Sequence, residues 1–380
     1  MNAFDERLLS LANRSSWRSN PNPRVACIII DPNGRELGAG HTQQAGGPHA
    51  EVMALRDAEA QGHSVAGATA FVTLEPCSHH GRTPPCCDAL IAAKLAKVVV
   101  ATTDPNPLVA GRGLACLKAA GIQVELLPPD SETARAAREL NIGFFSRMVR
   151  GIPWVRMKVA ASLDGTSALE NGASQWITGE PARADGHAWR ARACAVLTGI
   201  GTVLQDDPRL DVRRDGTTRQ PHLVLVDSDL NTPLFARLFE PAAGGLPRQI
   251  WIYHAVLDEA KHTALTQRGA VLIHMPGATG KVDLAAMLRD LGQREVNELH
   301  VEAGQKLNGS FLRESLVDEM LVYLAPKLLG QGSGMSTFGP LQRLQDGISL
   351  DFLSVDRIGA DLRILARVQG RDRFLHETEA

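Results

Sequence analysis

Four side chains in the first quarter of this 380-residue chain have the types and the order of a hydrolytic zinc site. His49 and Glu51 are separated by one residue, and Cys77 and Cys86 follow them. Zn²⁺ prefers thiolate and imidazole ligands, and three protein ligands leave the fourth position of a catalytic site open for water. The metal brings the pKa of that water to about 7, and a neighbouring carboxylate can transfer the proton. We therefore predict His49, Cys77 and Cys86 as ligands of one zinc ion and Glu51 as the catalytic proton carrier.

The order of these residues matches part of the signature of zinc-dependent nucleobase deaminases, which is H-x-E followed by P-C-x-x-C. The second half departs from that signature, because residues 78–85 stand between Cys77 and Cys86. Taken alone, a His-x-Glu sequence is common at helix starts, and cysteines at an unusual spacing are usually buried packing residues. All four residues in this order favour the zinc site. Cys87 is predicted to be a packing residue, because adjacent residues rarely both reach one metal ion.

The predicted elements around these residues place both halves of the site at helix starts. Residues 25–30 and 68–74 have the apolar composition of buried strands, and a helical pattern begins at Ala50. A second short helix is predicted at 88–93, after the second cysteine. The free N–H groups and the dipole of a helix start stabilise a thiolate.

Composition excludes several classes of protein. The net charge of −2 gives no basic excess for nucleic acid. Six cysteines are too few for a disulfide scaffold. Residues 1–7 contain no apolar signal segment, and no apolar run approaches 18 residues. We expect a cytoplasmic enzyme that binds neither membranes nor nucleic acid.

The organisation of the chain changes near residue 150. Before it, strands at 97–102 and 122–127 alternate with helices at 113–120 and 131–148, which is typical of an α/β layered domain. Residues 147–153 are predicted as a linker between a domain at 1–146 and a domain at 154–380. In the second domain, strands alternate with helices, and the segments 319–325 and 350–368 are predicted as antiparallel strands.

Three segments of the second half are candidate sites, each with a structural alternative. Residues 299–310 are predicted to run from a strand through a glycine-containing turn into a helix at Phe311, and such a junction can present N–H groups to phosphate. The two glycines can equally form a tight turn without a ligand. Asp206-Asp207-Pro208 is more typical of a turn or a helix cap, and residues 162–165 of a hairpin turn.

The whole chain resembles the bifunctional deaminase/reductase family of bacterial riboflavin biosynthesis. The segment TLEPCSHHGRTPPC at 73–86 includes the long insertion between the cysteines that is typical of this family. Further matching motifs lie at 20–25, 48–52, 104–107, 109–113, 158–165, 174–178, 199–208, 301–304 and 325–330.

The resemblance implies a cytidine-deaminase-like α/β/α sandwich followed by a dihydrofolate-reductase-like α/β domain. It also implies two consecutive reactions on one small phosphoribosyl-pyrimidine. The first is zinc-dependent deamination of 2,5-diamino-6-(5-phosphoribosylamino)pyrimidin-4(3H)-one. The second is NADPH-dependent reduction of the ribosyl group of 5-amino-6-(5-phosphoribosylamino)uracil to ribityl. A homodimer or higher homo-oligomer is expected.

The resemblance also assigns site residues beyond the zinc centre. Deaminase-substrate contacts are expected from Asn22, His41, His79 and Arg82. NADPH contacts are expected from Ala160, Trp176, Thr202, Asp206, Ser228, Gly304, Gln305, Lys306, Leu307, Asn308, Gly309 and Ser310. Reductase-substrate contacts are expected from Ser174, Arg190, Leu210, Arg213 and Glu302.

Several of these residues have a structural alternative. Lys158 and Glu302 are candidates for stabilising charge and moving a proton at the reacting ribose carbon, but they could also form a structural ion pair. Trp176 could be a core residue, as tryptophans usually are. The planar donors of Arg190 and Arg213 suit a phosphate.

Two other functions remain open from the sequence. A nucleoside or tRNA deaminase with a non-catalytic C-terminal half would share the zinc site, although tRNA binding would favour a basic patch. A non-catalytic binding protein on a decayed deaminase scaffold would lack Glu51 or a ligand, and all four residues are present.

Overall fold

The structure is a computed structural model that describes residues 1–79, 84–107 and 109–377. The described residues form two compact units. One comprises Met1–Gly151 with the terminal segment from Phe374, and the other comprises Ile152–Arg373. The boundary at residue 151 lies within the predicted linker, whereas the return of the chain to the first unit at Phe374 was not expected.

The first unit is a five-stranded sheet between two layers of helices. Its elements are α1 (Ala3–Asn13), β1 (Ala26–Ile30), β2 (Glu36–His41), α2 (Ala50–Ala60), β3 (Thr69–Val72), α3 (Cys86–Ala92), β4 (Lys97–Val100), α4 (Arg112–Ala119), β5 (Gln123–Leu126), α5 (Glu132–Leu140) and α6 (Ile142–Arg150). The strand order is β2-β1-β3-β4-β5. β1 is antiparallel to both of its neighbours, and the other pairs are parallel. Helices α2, α3 and α4 cover one face, and α1 and α5 lie on the other.

Helix α2, which carries Glu51, packs directly on the backbone of β2. A Cβ at Gly40 would overlap the Ala50 carbonyl and the Ala54 amide, and a Cβ at Gly38 would overlap the Ala54 carbonyl. Only glycine permits so close an approach of helix to strand. This contact fixes the start of α2 at the edge of the sheet where β2 ends.

The segment 131–148, predicted as one helix, forms two helices that meet at Asn141. The Asn141 side chain accepts a hydrogen bond from the Arg24 amide at 2.7 Å and donates to the Arg24 carbonyl at 3.0 Å. These contacts hold the start of β1 and interrupt the helix, which the local helical pattern could not show. The predicted linker at 147–153 is also wrong in part, because α6 continues to Arg150 and ends at Gly151, whose φ is +71°.

The second unit is built on a nine-stranded sheet. Its elements are β6 (Trp154–Ser162), β7 (Thr166–Leu169), α7 (Glu180–Arg192), β8 (Ala195–Gly199), α8 (Ile200–Asp206), β9 (His222–Val226), β10 (Ile250–His254), α9 (Glu259–Gln267), β11 (Ala270–His274), α10 (Leu284–Gln293), β12 (Glu298–Val301), α11 (Gln305–Arg313), β13 (Glu319–Ala325), β14 (Gly332–Gly334), β15 (Leu350–Ile358) and β16 (Asp361–Val368). The sheet order is β11-β10-β9-β8-β12-β6-β13-β16-β15, and β7 pairs with β14 in a small separate sheet.

The strands β11, β10, β9, β8, β12, β6 and β13 are parallel to their neighbours in the sheet. β16 and β15 are added antiparallel at the edge next to β13. The prediction of antiparallel strands therefore holds for the β15–β16 hairpin and is wrong for one side of β13, which runs parallel to β6. Helix α11 returns the chain to the same end of the sheet before β13, and such a crossover makes strands parallel. The predicted turn at 162–165 is confirmed, and Gly165 has a φ of +83°. It is not a hairpin turn, because β7 pairs with β14 and not with β6.

The last helix, α12 (Phe374–Glu377), groups with the first unit. Phe374 is buried, and the Arg150 guanidinium lies 4.8 Å from the centre of its ring. Helix α7, the longest in the described part of the chain, has 13 residues, which is well short of the ~20 that cross a bilayer. No described helix meets that requirement.

Candidate active sites

The three predicted zinc ligands converge at one point of the first unit. His49 is the N-cap of α2, Cys86 is the first residue of α3, and Cys77 lies in the loop after β3. The His49 Nδ1 atom lies 3.6 Å from the Cys77 Sγ and 3.3 Å from the Cys86 Sγ. The three donor atoms lie within 4.8 Å of one another. Both halves of the site are thus at helix starts, as predicted.

This donor set fits a tetrahedral zinc ion. Zn–S and Zn–N bonds of about 2.3 and 2.0 Å place tetrahedral nitrogen and sulfur ligands about 3.6 Å apart. The hydrogen bonds of Cys77 with the Cys86 thiol and with His49 lower its pKa to about 4, although burial opposes this. The lowered pKa favours the thiolate of Cys77, which is the form that binds metal.

Glu51 lies on the first turn of α2, two residues after His49, and its side chain is 3% exposed. Its carboxylate is hydrogen-bonded with the Cys86 thiol. Burial, and after it the charge of Cys77, raises the pKa of Glu51 to about 7. A carboxyl group with this pKa exchanges protons readily near neutral pH.

Cys87 is buried and points away from the zinc ligands. Its thiol lies 3.4 Å from the Pro76 carbonyl and 3.5 Å from the Gly113 carbonyl. Among the described residues, Cys87 does not join His49, Cys77 and Cys86 in the group of possible metal ligands. Its predicted packing role is confirmed.

Of the predicted deaminase-substrate residues, Asn22, His41 and His79 lie in segments next to β1, in β2 and in the zinc-ligand loop. His41 ends β2 and pairs with Ala26 at the start of β1. Asn22 precedes β1 in the chain, and His79 follows Cys77 by two residues. The His41 Nδ1 atom is 3.3 Å from the Ser15 hydroxyl, and the ring is half-buried. Arg82 lies outside the described residues.

In the second unit, Glu302 is the centre of a charged cluster. Arg190 on α7 donates to both of its carboxylate oxygens, at 2.7 and 3.0 Å. The Lys158 ammonium on β6 lies 3.7 Å from the carboxylate. Burial alone would raise the pKa of Glu302, but Arg190 and Lys158 hold it well below its usual range. The ion pair between Lys158 and Glu302 therefore exists, and the carboxylate stays ionised.

Of the remaining predicted reductase-substrate residues, Arg213 and Leu210 lie next to Asp211, and Ser174 lies next to the end of α8. Arg213 donates to the Asp211 carboxylate at 2.6 Å, and its side chain is half exposed. Leu210 is buried just before them in the chain, with a φ of +52°. The Ser174 hydroxyl instead bonds to the carboxylate of Asp206, the last residue of α8.

The predicted turn at 304–310 is wrong, because α11 begins at Gln305 with Gly304 as its N-cap, not at Phe311. Asn308 and Gly309 are buried within the helix, and the Asn308 amide donates to the Met335 carbonyl at 2.9 Å. A Cβ at Gly309 would overlap the Thr337 carbonyl. The small residues that suggested a turn permit the helix to pack closely on the segment at 335–337. The free N–H groups are those at the helix start, close to Gly304.

The other predicted NADPH contacts follow the carboxyl ends of parallel strands. Thr202 and Asp206 lie on α8, after β8, and Ser228 follows β9. Ala160 is near the end of β6, on the same face as Lys158. Because ligands of open α/β sheets bind at this edge, the fold brings these residues to one side. Asp207 ends α8 with a φ of +39°, which confirms its predicted cap position.

Trp176 is not a core residue, because 62% of its side chain is exposed. The Arg183 guanidinium lies 4.6 Å from the centre of its ring. An exposed indole on a loop is available for stacking on a planar ligand.

Three polar residues of these sites were missed in the sequence. Glu75 is buried and accepts four backbone N–H bonds, which makes it a structural anchor of the zinc-ligand loop. Asp211 is completely buried beside Arg213. His187 lies on α7, three residues before Arg190. Only the spacing of His187 and Arg190, which places them on one face of a helix, gave a signal in the sequence.

Fold and sites together define a two-domain enzyme in which a zinc-dependent deaminase precedes a reductase. A family model of the cytidine and deoxycytidylate deaminase zinc-binding region matches residues 2–102, and a model of the RibD C-terminal domain matches residues 153–364. The chain belongs to the RibD family, whose members are bifunctional enzymes of riboflavin biosynthesis. Its cofactors are zinc and NADPH.

Individual relatives cover nearly the whole chain. The riboflavin biosynthesis protein RibD of Escherichia coli K12 is 43% identical over 94% of this chain and 96% of its own length. The structure of Acinetobacter baumannii RibD, form 1, is 39% identical with a TM-score of 0.84, and covers 96% of this chain and 98% of its own. A Thermotoga maritima diaminohydroxyphosphoribosylaminopyrimidine deaminase/5-amino-6-(5-phosphoribosylamino)uracil reductase is 29% identical with a TM-score of 0.81, covering 96% and 97%.

The geometry of the cysteines predicts which of two adjacent thiols holds zinc. Cys86→Ser removes a donor atom 3.3 Å from the His49 Nδ1 atom, so we expect bound zinc to fall strongly and the first unit to lose stability. Cys87→Ser should retain one zinc per chain, because its thiol faces two carbonyl groups. The amount of zinc per chain, measured by inductively coupled plasma mass spectrometry after gel filtration, checks both variants. Loss of zinc from Cys87→Ser with retention in Cys86→Ser would contradict the assignment.

Proposed function

We propose that the first unit deaminates 2,5-diamino-6-(5-phosphoribosylamino)pyrimidin-4(3H)-one. The second unit then reduces the ribosyl group of 5-amino-6-(5-phosphoribosylamino)uracil to ribityl. The observation that carries this proposal is the presence of a complete His/Cys/Cys and Glu site and a Lys158–Glu302–Arg190 cluster on one chain. The Thermotoga maritima relative is named for the same pair of activities.

In the deaminase unit, His49, Cys77 and Cys86 would hold zinc. When bound, zinc supplies a water molecule of lowered pKa at neutral pH. The Glu51 carboxylate would carry a proton from water to the leaving amino group. Burial of Glu51 next to Cys86 excludes competing solvent and favours its protonated form, which opposes the effect of a bound cation on the carboxylate. Asn22, His41, His79 and Arg82 are assigned to substrate binding.

In the reductase unit, NADPH supplies hydride from its nicotinamide. The low pKa of Glu302 means that this carboxylate cannot donate a proton at neutral pH. Lys158 is the adjacent acid, and 24% of its side chain is exposed. We assign proton donation near the reacting ribose carbon to the Lys158 ammonium. Glu302, fixed by Arg190, orients that ammonium and contacts the substrate.

The start of α11 is assigned to the NADPH phosphates. Gly304 is exposed, and the nearest other heavy atom to a Cβ at this position would be the Thr202 hydroxyl at 3.8 Å. Free N–H groups at a helix start bind phosphate. Ala160, Trp176, Asp206 and Ser228 complete the proposed cofactor site. Gln305, Lys306 and Leu307 form the first turn of α11. Asn308, Gly309 and Ser310 follow in the same helix, where Asn308 and Gly309 pack on the segment at 335–337. Ser174, Leu210 and Arg213 are assigned to the substrate with Arg190.

The enzyme is proposed to act in the cytoplasm as a homodimer or higher homo-oligomer. None of the six cysteines, all of which are described, forms a disulfide, which suits a reducing compartment. Strand β15 forms an edge of the nine-stranded sheet, and its Phe352 and Val355 side chains are 70% and 55% exposed. Exposed apolar edge strands favour pairing with another chain. Light scattering should give at least twice the chain mass of 40.8 kDa, and a monomer mass at micromolar concentration would contradict this assembly.

Replacement of Glu51 separates the two activities. Glu51→Gln should retain zinc but lose deamination by at least ~100-fold, because an amide cannot carry the proton. Reduction of already deaminated substrate should continue, as measured by NADPH oxidation at 340 nm. Glu59→Gln, an exposed position on the same helix, is the matched control and should deaminate normally. Near-normal deamination by Glu51→Gln would show that another group carries the proton.

A side chain at position 304 tests the cofactor site. Gly304 has an extended backbone and open space around its Cβ position, so the fold should tolerate Gly304→Val. The valine methyl groups would occupy the approach to the N–H groups of α11. We expect the KM for NADPH to rise about tenfold or more, consistent with loss of hydrogen bonds to a charged group. Zinc content and deamination should be unchanged. Unchanged NADPH affinity by calorimetry would leave the helix start with a structural role only.

A further inference from the structure

Arg190 has few N–H groups left for a substrate phosphate. Its Nε and Nη2 atoms donate to Glu302, and its Nη1 atom donates to the Asp211 carbonyl at 2.6 Å. The side chain is 13% exposed. These bonds use three of its five N–H groups and fix it against the carboxylate. Arg190 therefore mainly orders the cluster, and the anion needs other donors.

Arg213 is the first of these donors. It is held at one point by the buried Asp211 carboxylate, whose second oxygen accepts from the Ala243 amide at 3.0 Å. About half of the Arg213 side chain is exposed. Among the described residues, its other guanidinium N–H groups have no protein partner, so they face solvent and are open to a ligand.

His187 is held beside Arg213 by the backbone. The Arg213 amide donates to the His187 Nδ1 atom at 3.3 Å. Because Nδ1 accepts, the proton of the neutral ring is on Nε2, on the other side of the imidazole. No described residue bonds to Nε2. Burial, followed by the charges of Arg190 and Arg213, lowers the pKa of His187 to about 4, so the ring is a neutral donor at physiological pH.

We propose that His187 is a further binding residue of the reductase, whose Nε2–H group donates to the phosphate of the phosphoribosyl substrate together with the Arg213 guanidinium. This inference rests on the proposed function of the second unit. Residues 187 and 190 lie on the same face of α7, so the phosphate would sit next to the Arg190–Glu302 pair. The three cations Lys158, Arg190 and Arg213 exceed the two carboxylates Asp211 and Glu302 by one charge, which favours a dianion at this point.

The test compares substrates with and without the phosphate. His187→Leu should raise the KM for 5-amino-6-(5-phosphoribosylamino)uracil about tenfold, the effect of one lost hydrogen bond to a charged group. The KM for the same molecule without phosphate should change less than about twofold. Inorganic phosphate should inhibit the wild type competitively against the phosphorylated substrate and inhibit His187→Leu more weakly. His187→Gln, whose amide nitrogen can replace Nε2, should recover most of the affinity.

Two controls separate this proposal from general damage and from the assigned reaction. His262→Leu, an exposed position on α9, is the matched substitution and should leave both KM values unchanged. If the wild type fails to reduce the phosphorylated substrate at all, the proposed function is wrong. If the wild type reduces it but His187→Leu weakens both substrates equally, or weakens neither, the phosphate contact is wrong while the function stands.

Discussion

The buried carboxylate of Glu75 is the contact on which the deaminase site depends. It accepts N–H bonds from Asp104, Gly111, Gly113 and Leu114, at 2.9 to 3.2 Å. An ionised acceptor shared by several amides is among the stronger interactions in a protein interior. Because Glu75 lies two residues before Cys77, these bonds fix the ligand loop to the start of α4. The close approach of Gly113 to the Pro76 carbonyl completes this support.

A comparable constraint in the reductase unit is a row of charges along the central strands. Arg156 is fully buried and pairs with Glu298 on β12 at 2.9 Å and with Glu319 on β13. Side chains of one strand alternate between faces, so Arg156 and Lys158 share a face with Glu298 and Glu302. The buried pairs hold three strands in register below the site, while Lys158 and Glu302 remain at its partly open end. Removing one member of such a network leaves an uncompensated charge, which is more costly than the pair is stabilising.

Most local elements were predictable, because hydrophobic periodicity acts over short segments. The boundaries of β13 agree with the predicted strand at 319–325. The errors occurred where a distant residue decides the outcome. Asn141 breaks a helical pattern because Arg24 uses its side chain, and β13 is parallel to β6 because α11 crosses the sheet. Gly309 was read as part of a turn, whereas it serves close packing against Thr337 inside a helix.

The sequence by itself predicted a His/Cys/Cys zinc site with Glu51 beside it, because the chemistry restricts the residue types and their order at two helix starts. The tertiary structure alone decided which donors are already used. Arg190 suited a phosphate by its shape, but folding places it on Glu302, and His187 gains a defined donor only through the Arg213 amide. Availability of a polar group depends on its neighbours in space, and residues 112 positions apart in the chain, such as Arg190 and Glu302, meet only after the sheet has formed.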